Sequence, residues 1–217
     1  ARACVARLGM VIHEIFGLTD WIRAVADALA AAGYVAVAPD LLSGKGLGGG
    51  GTGAFTGDAV RAAVQGLNAD EVNRRLEAVR PYAYKLPATS MKSAMIGFCW
   101  GGTTTFTYVS KKAGLDAAIV YYGTGPVDVA TAKAVKSPVL GLYGGDDARV
   151  TATVPATQQV MKEAGRSFEA IVYDGAGHGF LRQQNGHDGA NAKAAAAAWT
   201  RTLAFLRTHL DDVAVKK

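Results

Sequence analysis

The chain is 217 residues long, half of them hydrophobic and 19% charged, and its 23 lysines and arginines exceed its 18 acids to give a net charge of +5. This length and composition predict a soluble globular protein forming one domain over 1–217, and no apolar run approaches the roughly 20 residues that span a bilayer. The basic residues are dispersed in pairs such as Arg74-Arg75 and Lys111-Lys112, which excludes the clustered charge of a nucleic-acid footprint.

Residues 10–12 end an apolar run that predicts a first strand, and Gly17 follows. Thr19 or Asp20 can then cap a helix whose apolar positions Ile22, Val25 and Leu29 recur at helical spacing. Gly33 stops it, and 34–38 is a short β-rich run closed by Pro39. Between 43 and 57, eight of fifteen residues are glycine, which predicts a mobile or tightly turning loop with few side chains to pack. Asn68 and Glu71 resemble a capping box opening a helix to about Ala83. Residues 93–98 read as a strand and 101–113 as a helix. Residues 115–122 and 139–143 are apolar strand candidates. Residues 154–164 read as helix, 168–173 as strand and 189–209 as a long last helix. No linker or internal repeat divides the chain. Apolar strands alternating with helices imply an α/β protein with a mostly parallel central sheet covered by helices on both faces.

The most informative segment is Gly97-Phe98-Cys99-Trp100-Gly101-Gly102, which follows a strand and precedes a helix. That is the context of a nucleophile elbow. A residue at the apex of such a turn has strained backbone angles, and small neighbours at 97 and 101 let the flanking chain approach closely. Its side chain is lifted toward the C-terminal edge of the sheet, where open α/β sheets bind ligands. The new helix directs its N-terminus at the same place, favouring a thiolate or a developing oxyanion. A buried structural cysteine is the bland alternative. Acid and base candidates follow later strands: Gly144-Gly145-Asp146-Asp147 after 139–143, and Gly175-Ala176-Gly177-His178-Gly179-Phe180 after 168–173. Both loops lie at the edge that carries the elbow, and the order nucleophile, acid, base is that of α/β-hydrolases.

His13-Glu14-Ile15-Phe16-Gly17 places a carboxylate just past the first strand, which is costly unless it is paired or useful. The zinc-protease pattern needs a second histidine four residues after the first, where Gly17 stands. Cys4 and Cys99 make neither a disulfide framework nor a zinc-type spacing. No metal and no cofactor are expected. The chain does not begin with Met and shows no signal peptide. The expected compartment is a bacterial-type cytoplasm or periplasm, and the oligomeric state is left open.

At these residues the chain resembles the dienelactone hydrolase family, from about Gly9 to Leu210. The matches are the cysteine elbow, Glu-Ile-Phe-Gly at 14–17, Gly-Tyr-Val-Ala-Val-Ala-Pro-Asp-Leu at 33–41, Tyr121-Tyr122-Gly123, Asp147 followed by Val150, and Ala-Gly-His at 176–178. The resemblance implies an α/β-hydrolase fold and a Cys99–His178–Asp147 triad, with an oxyanion hole from the backbone N–H groups of Trp100 and Ile15. It also implies that Glu14 contacts the nucleophile in the resting enzyme. Arg182 would then pair with that glutamate or with a substrate carboxylate. On this basis His178 takes the thiol proton, assisted by Glu14 when substrate displaces it from Arg182, and a covalent acyl-enzyme forms and is hydrolysed.

Two departures from the family bear on substrate. Few residues precede the first matched strand, so one or two edge strands typical of the family are expected to be missing. The glycine-rich segment replaces a longer, arginine-bearing stretch, which leaves Arg182 as the matched carboxylate ligand and Arg61 as a weaker second. A wide or mobile mouth is expected there, lined by Trp100, Phe16, Phe180, Tyr121 and Tyr122. Neutral activated esters and lactones are the expected substrates, hydrolysed at least as well as an anionic dienelactone. Phosphotriesters at the same site are the alternative chemistry. A ligand-binding module without turnover is the alternative outside enzymes.

Overall fold

The computed structural model describes residues 6–87 and 89–211, so Cys4 lies outside the described residues. Six strands form one sheet: β1 (Ala6–Ile12), β2 (Val35–Val37), β3 (Thr89–Phe98), β4 (Ala117–Tyr121), β5 (Val139–Gly144) and β6 (Phe168–Tyr173). The helices are α1 (Asp20–Ala31), α2 (Ala59–Gln65), α3 (Ala69–Tyr84), α4 (Trp100–Lys111), α5 (Val129–Ala134), α6 (Ala148–Thr151), α7 (Val154–Glu163) and α8 (Ala190–Leu210). Strand order is β2-β1-β3-β4-β5-β6 and every pair is parallel.

Alternation along the strands divides the core in two. Val11, Ala94, Ile96, Ile119, Tyr121 and Leu142 face α1 and α8, packing with Ile22, Leu29, Ala198 and Leu206. Leu8, Met10, Met95, Ala118, Val120 and Val139 face the other way, against Leu76 of α3, Val109 of α4 and Met161 of α7. Helices therefore cover both faces, as the apolar strands require. No helix among the described residues is long and apolar enough to cross a membrane.

The chain runs outward from β1 to β2 and then returns to the other side of β1 as β3. Such a reversal leaves a crevice at the carboxyl ends of the two central strands. Ile12 pairs with Gly97 in the register of β1 and β3. Glu14 and Cys99 thus each lie two residues beyond the end of that ladder, on opposite sides of the crevice.

Three local differences from expectation have physical causes. β3 begins at Thr89 rather than Ser93, because its polar first half pairs irregularly with β1, Ala6 opposite Thr89 and Leu8 opposite Ser93. The box at the start of α3 is half made: Asn68 Oδ1 accepts from the Asp70 N–H at 2.8 Å. Glu71 instead pairs with Lys45 and Arg75. The glycine-rich loop is a set of tight turns, not a wide opening. Thr52 donates its N–H to Asp40 Oδ2 (2.7 Å) and its hydroxyl to Asp40 Oδ1 (2.8 Å), and accepts from the Leu18 N–H at 2.9 Å. Gly51 is what permits this, since a Cβ there would lie 2.2 Å from Asp40 Oδ2.

Candidate active site

Cys99 sits between β3 and α4 with φ 54° and ψ −116°, a conformation that side-chain-bearing residues adopt only under constraint. The constraint is close approach on both sides. A Cβ on Gly97 would lie 2.0 Å from the carbonyl oxygen of Gly101, and one on Gly101 would lie 2.4 Å from the carbonyl oxygens of Ile12 and His13. The Cys99 N–H donates to the Tyr121 carbonyl at 3.0 Å. The sulfur is thereby raised into the crevice, half-buried.

His178 follows β6 and reaches Cys99 with Nε2 3.1 Å from Sγ, while its Nδ1 lies 2.5 Å from Asp147 Oδ2. Asp147 is buried. Its neighbour Asp146 turns the other way, to His187 Nδ1 at 3.2 Å, so only one of the two adjacent carboxylates meets His178. The loop carrying His178 is clamped by Asn191 of α8, whose Oδ1 accepts from the Gly177 N–H and whose Nδ2 donates to the Gln183 carbonyl. Asn191 and His187 are supports that a reading along the chain misses, because only the return of the chain through 187–191, the turn before α8 and its first residues, brings them to this loop.

Burial works against charge on His178, but hydrogen bonds from Cys99 and Asp147 outweigh it and push its pKa from 6.5 to about 9. A raised value means the folded state binds the proton more tightly than the unfolded chain. The linked stability is complete below pH 6.5 and is lost as pH rises through about 9. The melting temperature is therefore expected to fall between pH 7 and pH 9.5 and to fall less steeply in His178→Gln. Parallel melting curves for the two proteins across that window would contradict this origin of the shift.

Glu14 is buried, and Arg182 Nε donates to its Oε2 at 2.8 Å. Burial raises the Glu14 pKa, and Arg182 partly offsets the rise. The contact between Glu14 and the nucleophile that the resemblance implies is absent from the hydrogen bonds of the described residues: Arg182 holds Glu14, and the cysteine sulfur is paired with His178. Phe16, next on the same turn, is half-buried with the guanidinium carbons of Arg182 and Arg61 5.0 and 4.9 Å from its ring centre. The tight turns before α2 bring Arg61 here, so the weaker of the two arginine candidates stands beside the stronger.

The expected aromatic lining needs correction. Tyr121 belongs to the core: strand alternation sends it toward α8, where its hydroxyl bonds Thr202 at 2.7 Å. Phe180 is fully buried behind the site, its ring 5.4 Å from that of Tyr122. Tyr122 is in contact, edge-on to the His178 ring at 5.1 Å, and holds φ at 41°. Its hydroxyl is buried without a protein hydrogen-bond partner, and burial keeps it protonated. Trp100 begins α4 beside Cys99 and stacks on His13. Among the hydrogen bonds of the described residues, neither the Trp100 N–H nor the Ile15 N–H has an acceptor. Also among the described residues, no group of three or more His, Cys, Asp or Glu side chains converges as metal ligands do.

Comparison with known proteins bears on the family and the fold. The family model of the dienelactone hydrolase family matches residues 7–210. A carboxymethylenebutenolidase from Pseudomonas putida is 32% identical over 205 residues, 91% of this chain and 84% of that protein. A crystal structure from Klebsiella pneumoniae, provisionally named dienelactone hydrolase, aligns over 94% of this chain and 88% of its own with 28% identity and a TM-score of 0.80. The dienelactone hydrolase-like promiscuous phosphotriesterase P91, from metagenomic libraries, aligns over 96% of this chain and 88% of its own with 25% identity and a TM-score of 0.80.

Proposed function

The chain belongs to the dienelactone hydrolase family of α/β-hydrolase fold, and from that premise we propose that it hydrolyses small esters or lactones carrying a carboxylate, through a covalent Cys99 acyl-enzyme. The observation that carries this reading is the hydrogen-bonded line from Cys99 Sγ through His178 to Asp147 at a strained elbow. A non-catalytic binder has no need of all three groups. Cys99 Sγ attacks the carbonyl carbon, and the electron pair moves onto oxygen, which the N–H groups of Ile15 and Trp100 receive. Such donors are worth roughly 3 kcal/mol each in related acyl transfers. Collapse breaks the C–O bond, and the leaving alkoxide takes the proton held on His178 Nε2. His178 then accepts a proton from water, which attacks the thioester carbonyl. The C–S bond breaks, the acid leaves, and the sulfur is restored beside a protonated imidazole. Asp147 holds the ring in place and stabilises its charged form.

The carboxylate preference rests on Arg61 and Arg182, which flank Phe16. Hydrogen bonds to charged groups contribute about 1.5–3 kcal/mol. On one preparation, kcat/KM for an anionic dienelactone is expected to exceed that for p-nitrophenyl butyrate by about a hundredfold, or 2.7 kcal/mol of discrimination. Arg61→Leu should remove most of that advantage and leave the neutral ester within about twofold, since it touches only the carboxylate end. Equal efficiency on both substrates would return the reading to the neutral esters expected from the sequence. Phosphotriesters are a second reading, favoured by the likeness to P91, and a p-nitrophenyl phosphotriester belongs in the same series.

A further inference from the structure

His13 takes no part in the chemistry proposed above, yet it touches Trp100 and the peptide unit that carries the Ile15 N–H, the two groups that would receive the oxyanion. Its side chain is completely buried. The imidazole stacks on the Trp100 indole with ring centres 5.5 Å apart and planes 14° from parallel. Its Nδ1 lies 2.7 Å from the Glu14 carbonyl oxygen, and its Nε2 lies 3.4 Å from the Leu41 backbone nitrogen. The second contact assigns the tautomer. A backbone N–H can only donate, so Nε2 is the acceptor and the ring hydrogen sits on Nδ1. Nδ1 therefore donates to the Glu14 carbonyl.

That carbonyl and the Ile15 N–H belong to the same peptide unit. In a trans peptide the two point in opposite directions within one rigid plane. A bond that pins the oxygen on one side fixes the direction of the N–H on the other, and it polarises the amide so that the N–H donates more strongly. We propose that His13 is the positioning residue of the oxyanion hole: it orients and polarises the Ile15 amide through Nδ1 and braces Trp100 by stacking. This rests on the reading in which Ile15 and Trp100 receive the oxyanion. Burial lowers the His13 pKa, outweighing the upward pull of its bond to Glu14 and of Asp40, so the neutral ring keeps this tautomer at physiological pH.

A histidine that merely fills the core would make the same contacts, and two amide variants separate the roles. Asn presents its Nδ2 near the place of imidazole Nδ1 and keeps a donor for Glu14. Gln presents its amide near the place of Nε2, keeping a partner for Leu41 and losing that donor. Three measurements are made on each: kcat and KM for p-nitrophenyl acetate, the alkylation rate of Cys99 by iodoacetamide, and inhibition by a trifluoromethyl ketone that forms a tetrahedral oxyanion adduct. Alkylation displaces iodide and develops no oxyanion, so it reports the thiol and the fold alone. His13→Gln is expected to lower kcat roughly 10- to 100-fold, less than outright loss of an oxyanion donor, and to weaken the ketone by a similar factor. KM and alkylation should stay within about threefold, and His13→Asn should recover most of kcat. Equal kcat in wild type and His13→Gln, or an alkylation rate that falls in step with kcat, would overturn the proposal. Cys99→Ala controls for the underlying reading: if that variant still hydrolyses the ester, the site assignment has failed rather than the role of His13.

Discussion

Replacing Cys99 by alanine is expected to lower kcat/KM for p-nitrophenyl acetate by roughly 10⁴-fold or more, since removing the nucleophile of a cooperating triad removes nearly all that the triad supplies. The fold should survive. Only a half-buried sulfur is lost, and the turn is held by Gly97, Gly101 and the Cys99 N–H rather than by the side chain. The same residue reports the strain. With φ at 54° and ψ at −116°, Cys99→Gly should be more stable than Cys99→Ala by roughly 1–3 kcal/mol, because glycine tolerates that conformation. Denaturant unfolding of the two variants measures the difference, and ester hydrolysis measures the first effect. Full activity in Cys99→Ala would remove the basis of the proposed function.

Gly101→Ala should also be strongly damaging, although it adds one methyl group. Its Cβ would stand 2.4 Å from the carbonyl oxygens of both Ile12 and His13. Those are backbone atoms at the end of β1 and cannot swing aside as a flexible side chain would. Overpacking of this kind costs about 1–3 kcal/mol of stability. The larger effect is on rate, because the clash lies between α4, which begins with Trp100, and the segment that carries Ile15. Separating them opens the oxyanion hole, with a loss of roughly 10²–10³-fold in kcat. The measurement is steady-state kinetics beside a thermal melt at one pH. A variant that melts lower but keeps the wild-type kcat would show that the two backbones can part without consequence for chemistry.

Much of this was readable from residue order, and the limits are instructive. The sheet is legible because buried parallel strands must be continuously apolar, as in 139–143, and the α1 face because Ile22, Val25 and Leu29 repeat at helical spacing. The elbow is legible because so tight a turn tolerates only glycine at 97 and 101. What escapes is whatever depends on distant segments meeting. Asp146 and Asp147 are chemically alike, and only resemblance to a family separates them in advance. The structure distinguishes them by partner, His187 against His178. Glu71 has the spacing of a cap, but Lys45 and Arg75 compete for it from outside the helix start. Tyr121 and Tyr122 are neighbours with opposite fates, one in the core at Thr202 and one against His178. The part of His13 is invisible along the chain, since it depends on Trp100, 87 positions later, lying flat on its ring.

The turns that Thr52 ties to Asp40 also bear on how readily this enzyme could be redirected to new substrates. Among the eight glycines of residues 43–57, most either hold left-handed backbone angles or would drive a Cβ into a neighbouring atom. Gly53 alone combines open space with ordinary angles. A library randomised at these eight glycines would consist mainly of strained or misfolded members, and its productive diversity would collapse onto Gly53. Among these glycines selection has a single inexpensive move, so changes of specificity should accumulate at 53, at exposed side chains such as Leu47 and at those around Phe16 before they appear at the other seven glycines.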